Sequence, residues 1–150
     1  MTTRHTLRLL AATAGVGALA LLGTPVASAQ TEATELCTIP YPNANVFEIP
    51  ASSRVEVSPA GPGTIDVDIH TKANSLIGYD QRIGVVWANL DTGRSGVAET
   101  NARVRGFDTL LEIDGLTTEP GTIAFVFSAS NHGWGDNYTY GDCSAEYTVS

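Results

Sequence analysis

Ile65-Asp66-Val67-Asp68-Ile69-His70 alternates apolar with charged or polar side chains without a break. Successive side chains of an extended chain point to opposite faces, so Ile65, Val67 and Ile69 fall on one side and Asp66, Asp68 and His70 on the other. This is a half-buried β-strand. The same test, carried outward, marks residues 54–58 with Val55 and Val57 inward, and 83–88 with Ile83, Val85 and Trp87 inward. It marks 109–113 with Leu111 and Ile113 inward, 123–128 with Ile123, Phe125 and Phe127 inward, and 143–149. Turn formers separate these runs: Ser58-Pro-Ala-Gly-Pro-Gly63, Leu90-Asp-Thr-Gly93, Asp114-Gly115, Glu119-Pro-Gly121 and the stretch 131–142. No segment beyond residue 30 sustains an apolar stripe of helical period. About seven short strands at this spacing predict an all-β fold, an antiparallel β-sandwich whose two sheets meet through their inward residues. Residues 38–45 hold Pro40 and Pro42 and read as an extended edge or a loop.

Residues 1–29 have a different grammar. Arg4 and Arg8 precede an uncharged run from Leu9 to Leu22, and the small-residue triplet Ala27-Ser28-Ala29 follows. That order predicts a signal peptide cleaved after Ala29. The apolar run is shorter than the roughly 20 residues a helix needs to cross a bilayer, and no later segment is long enough, so no membrane span is expected. The cleavage point has no cysteine to accept a lipid, and the two arginines are not adjacent. The expected location is secreted and extracellular, free or held at the cell wall. The remainder, residues 30–150, has the length of one domain with one continuous core.

Loss of Arg4 and Arg8 reduces the eight Lys and Arg to six against sixteen Asp and Glu, a net charge of −10. An acidic domain lacks the basic face that nucleic acid or anionic lipid requires, so neither is expected as a partner. The same charge keeps an exported protein soluble. Cys37 and Cys143, the only cysteines, lie near the two ends of the mature chain and are expected to form a disulfide in an oxidising compartment. Neither sits in a Cys-x-x-Cys pair or beside a histidine, as a redox or metal role would ask.

The run Leu110-Leu-Glu-Ile-Asp-Gly-Leu-Thr-Thr-Glu-Pro-Gly-Thr-Ile-Ala-Phe-Val-Phe-Ser-Ala-Ser-Asn131-His-Gly-Trp-Gly135 resembles the last strands of immunoglobulin-like and fibronectin type III-like domains. There a strand ends in Gly-Leu, a Pro-Gly turn follows, and the next strand enters a loop with Asn and Gly. Ile83-Gly-Val-Val-Trp87-Ala-Asn-Leu-Asp-Thr-Gly-Arg-Ser-Gly96 looks like a third strand and its turn in such domains. The likeness covers the second half of the mature chain. It departs from the pattern at Ile123, where many of these domains place a corner tyrosine, and in a cysteine pair that ties an N-terminal segment to the last strand. What it implies is an immunoglobulin-like β-sandwich and a binding role.

Chemistry is thinly signalled. His70 and His132 are the only near-neutral bases beyond residue 30, and no nucleophile elbow, metalloprotease helix or phosphate-binding glycine loop is present. A triad of His132, a serine and Asp136 has no supporting spacing. Asp66, Asp68 and His70 stand about 7 Å apart along one strand face, too far apart to enclose one ion alone, and read as a solvated face. Asp136, Asn137 and Asp142 lack the order of a calcium loop. The expectation is a non-enzymatic protein with no cofactor and no metal.

Two surfaces remain. Asn131-His-Gly-Trp-Gly-Asp-Asn-Tyr-Thr-Tyr-Gly-Asp142 sets Trp134, Tyr138 and Tyr140 among glycines and hydrogen-bonding residues, the composition of a recognition loop. The rings either bind a ligand or fold back to cap the sandwich. Asn131, His132, Trp134, Tyr138 and Tyr140 are the candidate ligand-binding residues, for an unknown protein or glycan partner. The second surface is an outward sheet face with Gly84, Val86, Ala88, Ala124 and Val126. A small disulfide-stapled inhibitor of a secreted hydrolase is the alternative function, and an unrecognised hydrolase centred on His70 or His132 a third.

Overall fold

In a computed structural model, which describes residues 32–150, the alternating stretches become eight strands and no helix. They are β1 (Thr34–Pro42), β2 (Pro50–Gly61), β3 (Thr64–Lys72), β4 (Ser75–Asn89), β5 (Ser95–Gly106), β6 (Thr109–Thr117), β7 (Gly121–His132) and β8 (Tyr138–Val149). The leader expected at residues 1–29 lies outside the described residues.

The strands form two antiparallel sheets of four, ordered β1-β2-β3-β6 and β5-β4-β7-β8. Their inner faces carry the residues the alternation assigns to them: Val55, Val57, Ile65, Val67 and Ile69 from the first sheet, and Ile83, Val85, Trp87, Ile123, Phe125 and Phe127 from the second, all buried. Each such side chain removed from water contributes about 1.5–3 kcal/mol, and this two-layer interior is the main driving force for the fold. Phe125 and Phe127 stack with ring centroids 5.6 Å apart.

Two local features, in β5 and β6, differ from the sequence expectation, and one segment settles a choice it left open. Residues 38–45 resolve into an edge strand, β1, which pairs with β2 as far as Pro42, followed by a loop. The prolines are tolerated because they sit on an edge strand. β5 has no clear alternation in sequence because its inward positions are small or polar (Gly96, Ala98, Thr100, Ala102) while Val97 points outward and is 78% exposed. Asp114-Gly115 reads as a turn but is a bulge inside β6: the β3–β6 register shifts between Ile65 and Val67, and Gly115 takes a φ of 65°. Asp66 Oδ1 accepts the Gly115 N–H at 2.7 Å, so one of the alternating carboxylates is committed to that bulge.

The open sides of the sandwich are closed differently. β1 and β8, edge strands of opposite sheets, are joined by the Cys37–Cys143 disulfide. They run so close that a Cβ on Gly141 would stand 2.5 Å from the Pro40 carbonyl oxygen. On the other side the chain passes from β5 to β6 through Phe107 and Asp108.

The four connections β1–β2, β3–β4, β5–β6 and β7–β8 gather at one end. The opposite end holds the β2–β3, β4–β5 and β6–β7 turns and both termini of the described chain, with Gly63 N–H donating to Ser150 O at 3.0 Å. Buried Asn89 closes that end: its amide donates to the carbonyls of Thr118 and Pro120, and its oxygen accepts the N–H groups of Asp91 and Thr92.

Candidate functional site

The end that gathers four connections rests on a buried polar layer. Tyr41, Ser53, Thr71, Gln81, Asn131 and Thr139, one each from β1, β2, β3, β4, β7 and β8, all point inward and all are buried. Gln81 Nε2 donates to Tyr41 Oη at 2.6 Å, the tyrosine and Ser53 hydroxyls lie 2.7 Å apart, as do those of Ser53 and Thr71, and Thr71 Oγ1 donates to Gln81 Oε1 at 2.6 Å. Because Tyr41 accepts from the amide, its own hydrogen turns to Ser53, and the ring runs in one direction back to Gln81. The second Gln81 N–H reaches Asn131 Oδ1 at 2.8 Å, and Asn131 Nδ2 donates to Thr139 Oγ1 at 3.2 Å. Beside this layer the Tyr79 hydroxyl is buried without a protein partner, and burial holds its phenol far above the ordinary tyrosine range.

This settles the place of Asn131. It is fully buried and spends both ends of its amide inside, so it supports the surface from beneath and offers nothing to a ligand directly. The aromatic residues near it are outside. Only residues 133–137 form a loop between β7 and β8, and the rest of the stretch 131–142 belongs to the two strands. Trp134, at the tip, is 82% exposed, and Tyr138 and Tyr140 project from the outer side of β8 at 49% and 67%. None of these rings folds back to cap the core. His132 is half-buried and stacks on Tyr138, centroids 4.6 Å apart and planes within 7°, while its Nε2–H donates to Gly135 O at 2.9 Å.

The tip loop is held in place. Trp134 N–H donates to Asn45 Oδ1 at 2.7 Å, and Asn45 Nδ2 donates to Gly78 O at 2.8 Å, so one side chain ties the β7–β8 loop to the β1–β2 loop and to the start of β4. Gly133 is required at its position, since a Cβ there would sit 2.2 Å from Ala44 O. The same end exposes Phe47, Leu76, Ile77 and Phe107, which the alternation test passes over because they lie in loops or at strand starts.

Pairing across the outer face of the second sheet sets Tyr138 and Tyr140 in line with the rest of that face. His132 lies opposite Tyr138 and Asp80, Ser130 opposite Tyr140 and Arg82, and Val126 opposite Val86, which in turn faces Val97. Gly84, Val86, Ala88, Ala124 and Val126 do lie together on this side, as the sequence indicates. Gly84 leaves a shallow depression of about 270 Å3 rimmed by Arg82, Glu99, Ser128 and Ser130. Arg82 is paired with Glu99, and Arg103 with Asp80 at 3.1 Å; exposed pairs of this kind add little stability.

Among the described residues no three His, Cys, Asp or Glu side chains converge as a metal site would require. His70 faces Glu56 at 3.6 Å on the outer side of the first sheet, and Arg54 reaches the same carboxylate at 3.1 Å. His132 bonds Gly135 O and stacks on the Tyr138 ring, and among the described residues no hydroxyl or carboxylate is bonded to it. No family model, curated protein or solved structure matches the chain.

Proposed function

We propose that this is an exported, non-enzymatic recognition domain of immunoglobulin-like type, which binds its partner through the loop end of the sandwich and the adjoining strip of β8. The observation that carries this reading is Trp134, left 82% exposed on a loop anchored by Asn45 beside further exposed apolar side chains. A large ring exposed on a held loop supplies contact area at little entropic cost, which is the economy of binding loops on sandwich scaffolds. Tyr138 and Tyr140 extend the contact, His132 braces Tyr138 by stacking, and Asn131 acts from below. The family resemblance draws support from buried Trp87 on β4, a strand paired with β7, which is in turn paired with β8, as the tryptophan-bearing strand is placed in immunoglobulin domains.

The test is capture from culture fluid and envelope extract with residues 30–150, in parallel with a variant carrying Trp134→Ala, Tyr138→Ala and Tyr140→Ala. These side chains lie outside the core, so the variant is expected to unfold at nearly the same temperature while losing at least about tenfold in partner affinity, since one aromatic anchor is worth about 2 kcal/mol or more. Equal capture by both forms would remove the loop end from the contact surface.

A further inference from the structure

The loop end carries information about the partner's chemistry. Phe47, Phe107 and Trp134 project from three connections and Leu76 and Ile77 from the start of β4, and Leu76, Phe107 and Trp134 are 84%, 76% and 82% exposed. At that exposure these side chains contribute nothing to the core. Several backbone groups around Leu76 and in the β1–β2 loop are satisfied from within. Arg105 Nε donates to Leu76 O at 3.3 Å, Arg103 Nη2 and Asn45 Nδ2 donate to Gly78 O at 3.1 and 2.8 Å, and Asn43 Oδ1 accepts the N–H groups of Asn45 and Val46. Irregular backbone that is to leave water needs such caps, because hydrocarbon offers no replacement hydrogen bonds. A protein interface instead uses about one hydrogen bond per 100–200 Å2, and these loops hold several of their backbone groups for themselves.

The charges at this end are of both signs. Glu48 follows Phe47, Asp108 follows Phe107 and Asp136 stands near Trp134, while Lys72, Arg103 and Arg105 lie at the same end. Mixed charge around an apolar tip matches a zwitterionic headgroup layer. The acidic excess of the whole domain opposes an anionic one.

We propose that the loop end is a membrane-docking tip, with Leu76, Ile77, Phe107 and Trp134 entering the interfacial layer of a zwitterionic bilayer while the opposite end of the domain, with both termini of the described chain, faces the water. This rests on the recognition reading and names its partner as a lipid surface. Apolar and tryptophan side chains are suited to that boundary, and insertion replaces their exposure to water without breaking an internal hydrogen bond.

Residues 30–150 contain every strand of both sheets and serve as the test protein. Trp134 is a built-in probe, because the only other tryptophan, Trp87, is buried. With phosphatidylcholine vesicles, the emission is expected to shift to shorter wavelength and to be quenched by lipids brominated near the headgroup end of the acyl chain. Leu76→Ser combined with Phe107→Ser should lower the partition coefficient by roughly tenfold or more while leaving thermal unfolding unchanged. Adding phosphatidylglycerol should weaken binding at low salt, and raising the salt should restore it. Absence of a shift and of co-sedimentation with phosphatidylcholine vesicles overturns the proposal, as does binding confined to anionic vesicles. So does burial of Trp134 in a concentration-dependent dimer without lipid, which gives the tip to a second copy. Capture of a protein or glycan through Trp134, Tyr138 and Tyr140 in the absence of vesicle binding overturns the lipid partner alone and leaves the recognition reading standing.

Discussion

Gln81→Ala is expected to lower the unfolding free energy by about 5 kcal/mol in equilibrium urea denaturation, enough to remove most of the stability of an ordinary domain. The side chain gives one N–H to Tyr41 and the other to Asn131 and accepts from Thr71, so its loss leaves three buried polar groups short of a partner at about 1–3 kcal/mol each, with a cavity added. Gln81→Met separates the two contributions. Methionine restores the volume without hydrogen bonds, and the variant should keep most of the loss. A methionine variant within about 1 kcal/mol of the parent would mean that filling the space matters and the ring does not. Tyr79→Phe, next to the same layer, should be neutral or stabilising, because its buried hydroxyl has no protein partner to lose.

This polar layer also marks the limit of what alternation in a sequence can tell. Ser53, Thr71 and Gln81 occupy inward positions of β2, β3 and β4, in phase with Val55, Ile69 and Ile83, yet an apolar count gives them no weight. Read for phase alone, they extend their strands by two residues and converge at one end. Strand identity and inward sets were legible for β2, β3, β4, β6 and β7 because large β-branched and aromatic residues recur there at period two. β5 was not, since its inner face is built of Gly96, Ala98 and Ala102 against the ring of Trp87 and its neighbours, and small residues leave no hydrophobic trace. Strand order was also out of reach: β6 pairs with β3 across two intervening strands, a choice made by packing between distant segments.

The candidate surface was legible in part for the same reason. Trp134, Tyr138 and Tyr140 stand out by composition and are exposed. Asn131 shares that composition but lies in phase with Phe127 and Ala129, which places it inside with them. Leu76, Ile77, Phe107 and Phe47 carry no periodic signal. They share an end only because the chain reverses there four times, a property of topology that no local window contains.

Replacing both cysteines, Cys37→Ala with Cys143→Ala, is expected to cost about 4 kcal/mol and to lower the melting temperature by about 15 °C. The bridge spans a sequence separation of 106 residues, and closing a loop of that size restricts the unfolded chain by about 4.7 kcal/mol in the chain-entropy treatment. The folded state should feel the change unevenly. β1 has β2 as its only neighbour in the sheet, and the disulfide, the buried side chain of Ile39, the close approach of Pro40 to Gly141 and the Gln81–Tyr41 hydrogen bond hold it against the second sheet. Without the bridge, β1 amides should exchange with solvent well before those of β4 and β7, which are paired on both sides. Tyr41 leaves with β1 when it opens, so the hydrogen-bonded ring around Gln81 breaks in the same step. For that reason the cysteine and Gln81 variants should couple: combined, they should cost less than the two separate losses added together. Strict additivity would mean that β1 stays docked without the disulfide. A loss under about 1 kcal/mol from the cysteine pair alone would place the strength of that edge in the β1–β2 pairing instead.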